Sequence, residues 1–198
     1  MNPTELISEH FALSSKTAID TEKILSDHII KAASLTVKTL NQGGKILTCG
    51  NGGSASDAQH FASELVCRYE RDRKALAAIA LSSDTSVITA AANDFDFSQI
   101  FSRQIEALGQ SSDVLVVIST SGESRNVILA TQAALEMNVH VIGLTGKDGG
   151  SLGRLIEGKG LELRVPCEIV AHIQEAHAII IHCICKLVEM QTMGNSLL

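Results

Sequence analysis

Tryptophan is absent from this 198-residue chain, and one tyrosine with five phenylalanines brings the aromatic content to only 3%. A platform for stacking bases is therefore not indicated. The formal charge of -6 removes the other main route to nucleic acid, a basic surface that tracks phosphates. No direct nucleic-acid ligand is expected. Long hydrophobic runs are also missing, since the densest, VLVVI at 114–118 and AIII at 178–181, fall far short of a bilayer. The start, MNPTELISEH, carries acidic residues and no apolar core of signal-peptide length. A cytoplasmic protein with no membrane contact is expected. The five cysteines, Cys49, Cys67, Cys167, Cys183 and Cys185, are odd in number and form no CxxC pair, which points to reduced, buried thiols rather than a disulfide or zinc-thiolate framework.

What is present is core-forming material, 45% hydrophobic, enough for one domain over 1–198. Residues 4–41 read as helix, with a break expected near Ile19 to Thr21 and a broad apolar stripe through Ile24, Leu25, Ile29, Ala32, Ala33, Leu35, Val37 and Leu40. That stripe packs either on a partner subunit, as an oligomerisation region, or on its own domain. Asn41, Gln42, Gly43 and Gly44 end it. Strand-like runs then alternate with helical stretches: KILTC (45–49), ALAAIAL (75–81), DVLVVIS (113–119), VHVIGLT (139–145) and LELRVP (161–166), followed by a helix from about Glu168 to Met190. Short continuous apolar strands separated by helices predict an α/β fold, a doubly wound five-stranded parallel sheet flanked by helices. Neither proline, Pro3 nor Pro166, interrupts an element.

In such sheets ligands bind beyond the carboxyl ends of the strands. The loop Gly50-Asn51-Gly52-Gly53-Ser54 lets backbone N–H groups approach an anion and opens into a helix N-terminus. The loop Ser119-Thr120-Ser121-Gly122-Glu123-Ser124 offers four hydroxyls ahead of another helix. Together they suggest a phosphorylated small molecule, although each alone is equally ordinary turn and N-cap chemistry. Gly50-x-Gly52-x-x-Ala55 also fits the loose dinucleotide pattern. The acidic residue that should meet a ribose is misplaced, however, with Glu70 and Asp72 ahead of the second strand and Asp84 late.

His60 and Glu64 stand i and i+4 on the helix opened by the first loop, so they could share a metal ion or form an ordinary ion pair. The last helix carries His172, Gln174, Glu175, His177 and His182 in an otherwise apolar stretch. Spacing does not say which histidine turns inward. A phosphate cradle, a hydroxyl-rich loop and these carboxylate and imidazole groups suggest chemistry on a sugar phosphate.

Five segments in order, GGKILTCGNGGSASDAQHFASEL, AAND at 91–94, VVISTSGESRNVI, IGLTGKDGG and HIQEAHAIIIH, make the chain resemble the sugar isomerase (SIS) domain family over nearly its full length. The resemblance implies conversion of D-sedoheptulose 7-phosphate to D-glycero-D-manno-heptose 7-phosphate, the entry step to bacterial surface heptose, by a homotetramer that binds one zinc ion per subunit. It places metal binding on His60, Glu64, Gln174 and His182. It places substrate contact on Asn51, Gly52, Gly53, Ser54, Glu64, Asn93, Asp94, Ser119, Thr120, Ser121, Ser124 and Gln174. Aldose–ketose interconversion moves a proton between two carbons through an enediolate, and Glu64 is assigned as base with His182 as the opposing acid/base.

Two positions depart from the pattern. Some members carry aspartate where Ala171 stands, so any role of that carboxylate is lost here. Glu168-Ile169-Val170 leans toward a branch containing non-catalytic adaptors that bind a replication initiator protein. Glu64 and His182 favour the enzyme, because an adaptor has no evident need for both groups at one pocket.

Overall fold

The computed structural model describes residues 2–194. Its elements run α1 (Pro3–Asn41), β1 (Ile46–Gly50), α2 (Gly53–Val66), β2 (Ala78–Ala80), α3 (Thr85–Asp94), a 3-10 turn (Phe97–Gln99), α4 (Ser102–Leu108), β3 (Val114–Ser119), α5 (Arg125–Glu136), β4 (His140–Thr145), α6 (Gly150–Ile156), β5 (Leu161–Arg164) and α7 (Val170–Thr192). All five strands are parallel in the order β2-β1-β3-β4-β5. Connections leave β1 toward one edge and β3 toward the other, so the sheet is doubly wound with its switch point between them. In register, Gly50 lies opposite Ile118. The loops after β1 and β3 therefore emerge side by side.

Every residue of β1 and β3 is buried, the consequence of helices covering both faces. Alternate side chains feed two cores. Ile46, Val116, Ile118 and Ile142 pack with Phe61 and Leu65 of α2, Ile29 and Val37 of α1, and Ile173 and Ile180 of α7. Leu47, Leu115, Val117 and Val141 face Phe101, Ile105 and Val127 on the opposite side. The second strand is far shorter than the apolar run 75–81 predicted, because β2 is the sheet edge and pairs only through Ala78–Ala80.

The expected break in the first helix does not occur: α1 is continuous for 39 residues, roughly 58 Å at 1.5 Å per residue. Thr17 and Thr21 are buried, and the Thr21 hydroxyl donates to the Thr17 carbonyl at 2.7 Å. The β-branched hydroxyl residue satisfies itself within the helix instead of ending it. Pro3 begins α1, where its missing N–H costs nothing. Beyond the sheet, α1 leaves Leu6, Ile7, Phe11, Ile19, Ile24 and Ile30 exposed. All five cysteines are free thiols, but only Cys49 and Cys185 are buried, with Cys67 and Cys183 exposed and Cys167 half-buried. The expectation of buried thiols thus fails for three of them, since turn and helix-surface positions outweigh the intrinsic preference of cysteine for burial. Among the described residues, no helix is long and apolar enough to cross a membrane.

Candidate active site

The β1 loop turns at Gly52, whose φ of +54° favours glycine, and α2 begins at the next residue. Any side chain at Gly53 would collide with the amide nitrogen of Gln174. That close approach places Gln174, from the last helix, over the start of α2. Asn51 exchanges two amide hydrogen bonds with Asn126 of α5, each 2.8 Å. Its side chain braces the two loops against one another, which leaves its backbone free for a ligand. The Ser54 residue is buried in the first turn of α2.

The β3 loop is braced in the same way. The Ser119 hydroxyl donates to Ser124 Oγ at 3.2 Å, and the N–H groups of Gly122 and Glu123 donate to Ser119 and Ser121 hydroxyls, both at 3.2 Å. Gly122 has φ +66°, and a Cβ there would strike the Gly149 carbonyl. Across this contact the Ser151 N–H and hydroxyl donate to Glu123 at 2.7 and 2.8 Å, holding its carboxyl below the usual carboxylate range. Thr120 and Ser121 remain half-buried at the mouth. Both loops thus present backbone N–H groups and hydroxyls at the N-termini of α2 and α5, a setting that favours an anion.

His60, Glu64 and His182 gather where α2 meets α7. His60 Nε2 lies 3.1 Å from Glu64 Oε1, and the His60 and His182 rings meet edge to face with centroids 5.0 Å apart. All three are half-buried. Arg73 fixes the end of α2 by donating to the carbonyls of Glu64 and Leu65, at 2.5 and 2.8 Å. Tyr69 closes one side, its ring 5.9 Å from that of His182. Neither Tyr69 nor Asn126 carried a sequence signal, because each acquires its neighbour only through the folded chain. The donor set of two imidazoles, a carboxylate and the Gln174 amide suits zinc among other divalent ions. Among the described residues, however, the only three His, Cys, Asp or Glu ligand atoms within 4.8 Å of one another belong to His10, His172 and Glu175. The set implied by the resemblance therefore fits zinc by donor chemistry alone, since the ligand atoms of His60, Glu64 and His182 are not drawn that close together.

Asn93 and Asp94 end α3, both exposed, with the Asn93 amide donating to Asp94 at 2.7 Å. No hydrogen bond or ion pair joins them to the groups above among the described residues. Asp94 instead lines a separate cavity with Ser83, Asp84, Phe95 and Arg103. Asp84 is spent as the N-cap of α3, accepting from the Val87 N–H at 3.0 Å. That role ties one of its oxygens to the start of α3, four residues past the end of β2, where the ribose-binding acid of a dinucleotide site should stand.

The middle histidine of α7, His177, is structural. His177 is fully buried, and its Nε2–H donates to the Thr145 carbonyl at 2.9 Å while Nδ1 lacks a partner. Burial pushes the imidazole down to about 4, against the opposing pull of the Thr145 hydrogen bond. The folded-state value lies below the ordinary 6.5, so as pH falls the unfolded chain takes up the proton first. Stability from this residue is complete above pH 6.5 and is lost as pH drops from 6.5 toward 4, by on the order of 3 kcal/mol. Urea midpoints for wild type and His177→Gln, followed from about pH 7.5 down to about pH 4.5, check this. The variant keeps a donor for Thr145 and should show the flatter profile; parallel profiles would refute the assignment.

A family model described as "SIS domain" matches residues 10–146. A phosphoheptose isomerase of Alteromonas mediterranea is 51% identical over 185 residues, 93% of each chain. Among solved structures, a phosphoheptose isomerase from Francisella tularensis superposes with a TM-score of 0.93 at 43% identity, covering 96% of this chain and 100% of the other. One from Neisseria gonorrhoeae gives 0.90 at 46%, covering 95% and 99%.

Proposed function

The chain belongs to the phosphoheptose isomerases of the SIS domain family, and from that membership we infer that it converts D-sedoheptulose 7-phosphate to D-glycero-D-manno-heptose 7-phosphate. The observation that carries the reading is the gathering of His60, Glu64 and His182 on α2 and α7, with Gln174 laid over Gly53 at the mouth of the loops. The N–H groups and hydroxyls of Gly52, Gly53, Ser54, Ser119, Thr120, Ser121 and Ser124 hold the phosphate at the two helix N-termini. Anchoring that end restricts the reacting carbons to the α2–α7 seam. Glu64 takes the proton from C1 of the ketose and returns it to C2 as the enediolate collapses, while His182, as the opposing acid/base, passes the proton between the two substrate oxygens through the ring nitrogen that would not hold the metal. Zinc held by His60, Glu64, Gln174 and His182 would supply Lewis-acid polarisation of the substrate oxygens. The adaptor alternative is not favoured, because Glu64 and His182 both stand beside His60 here and the relatives of about half identity are isomerases.

The assembly is a homotetramer in the same proposal, with residues 4–41 as its core and the cytoplasm as its location. An apolar groove between α1 and α7, lined by Ile19, Ile29, Ile30, Ala176, Ile179 and Ile180, supports self-association. The decisive experiment is turnover of sedoheptulose 7-phosphate by metal-stripped protein before and after zinc is restored. Turnover that returns with zinc is the expected result. No turnover in either state by a folded oligomer would overturn the isomerase.

A further inference from the structure

The first helix reaches the last at a point that the isomerase mechanism does not use. Residues 2–13 of the chain are exposed, and α1 begins to bury side chains only at Thr17. Among the described residues, the one side-chain hydrogen bond tying this projecting stretch to the rest of the fold is His10 Nε2 to Glu175 Oε1, 2.8 Å. The other Glu175 oxygen lies 3.0 Å from Nδ1 of His172. The two imidazole rings stand 4.5 Å apart, centroid to centroid, around this single carboxylate.

The arrangement has the parts of a metal centre. Three ligand atoms of types that suit zinc, cobalt or nickel lie within 4.8 Å of one another. His172 and Glu175 are i and i+3 on one face of α7, and His10 arrives from the facing helix. His172 is 3% exposed and so is held in place, whereas the side chains of His10 and Glu175 are 48% and 39% exposed. The open side would admit water as the fourth ligand of a tetrahedral ion. The centre is also separate from the one on α2. Successive residues on a helix are about 100° apart, so Glu175 points toward α1 when Gln174 points toward α2.

We propose that His10, His172 and Glu175 form a second divalent transition-metal site, which clamps the projecting start of α1 to α7. An ion there replaces the two imidazole–carboxylate hydrogen bonds with coordinate bonds. Each imidazole would offer the ion the lone pair of the ring nitrogen that now faces Glu175, with its N–H on the other ring nitrogen.

Calorimetric titration of metal-stripped full-length protein with zinc tests the site by stoichiometry alone, without any activity measurement. The expected result is two equivalents per chain in wild type and one in each of His10→Ala and Glu175→Gln. In His60→Ala, the equivalent that survives should disappear when His10→Ala is added. Cobalt gives a second readout, since its tetrahedral absorption in the His60→Ala protein should vanish with Glu175→Gln. Stoichiometry unchanged by both His10→Ala and Glu175→Gln would overturn the proposal, as would a His60→Ala protein that binds no metal. In either case the three residues are a hydrogen-bonded clamp only. Failure of the α2 site would instead appear as His60→Ala leaving the wild-type count unchanged.

Discussion

Replacing Glu64 by glutamine should lower kcat for sedoheptulose 7-phosphate by about 100-fold to 10,000-fold, the usual range for a lost general base. The substitution keeps the shape of the side chain and an oxygen that can accept from His60, 3.1 Å away in the wild type. The end of α2 is held independently by Arg73, which bonds the backbone carbonyls of residues 64 and 65. Folding should therefore survive, and the loss should fall on proton transfer. Because the same carboxylate belongs to the proposed zinc set, the assay is run at saturating zinc, with bound metal counted in the same samples. A metal-loaded Glu64→Gln protein that turns over like wild type would remove Glu64 as the base and leave it at most a ligand.

The largest loss of stability is expected at Asp113, remote from the site. This carboxylate is 1% exposed and accepts from the Lys45 ammonium at 2.6 Å and from the backbone N–H groups of Lys45 and Gln110, both at 2.9 Å. It joins the entries to β1 and β3, the two strands whose loops form the proposed phosphate cradle. In Asp113→Ala the ammonium, 21% exposed, regains water. The two N–H groups are left without partners, and the combined cost is about 2–5 kcal/mol. Urea unfolding at fixed protein concentration measures it; a change below about 1 kcal/mol would show that water enters and satisfies both groups. By contrast the exposed Lys16–Asp20 pair, an i,i+4 contact on α1, should contribute little when removed.

The alternation of apolar runs with helical stretches was enough to place all five strands, because a parallel sheet covered on both faces needs continuous apolar strands and leaves a plain imprint. Its edge was harder to read. ALAAIAL looks like a central strand, and only the absence of a second neighbour reduces it to Ala78–Ala80. The continuity of α1 was hidden for a similar reason, since the Thr21 hydroxyl bonds to the Thr17 carbonyl of its own helix instead of competing with it.

Site chemistry divides along the same line. Loops that follow strands and open helices carry their chemistry locally, so Gly50–Ser54 and Ser119–Ser124 could be chosen from the residues themselves, as could the i,i+4 pair of His60 and Glu64. Helical spacing on α7 could not separate His172, His177 and His182. The tertiary structure sends His177 into the core beneath Thr145, His182 to His60 across the α2 seam, and His172 to Glu175 beside α1. By itself, then, the sequence determined the fold class, the two loops proposed to bind an anion and, through its resemblance, the family. Only the tertiary structure decided which polar groups of α7 meet which partner, because a helix that packs against two others presents different sides to each, and periodicity records burial without recording the neighbour.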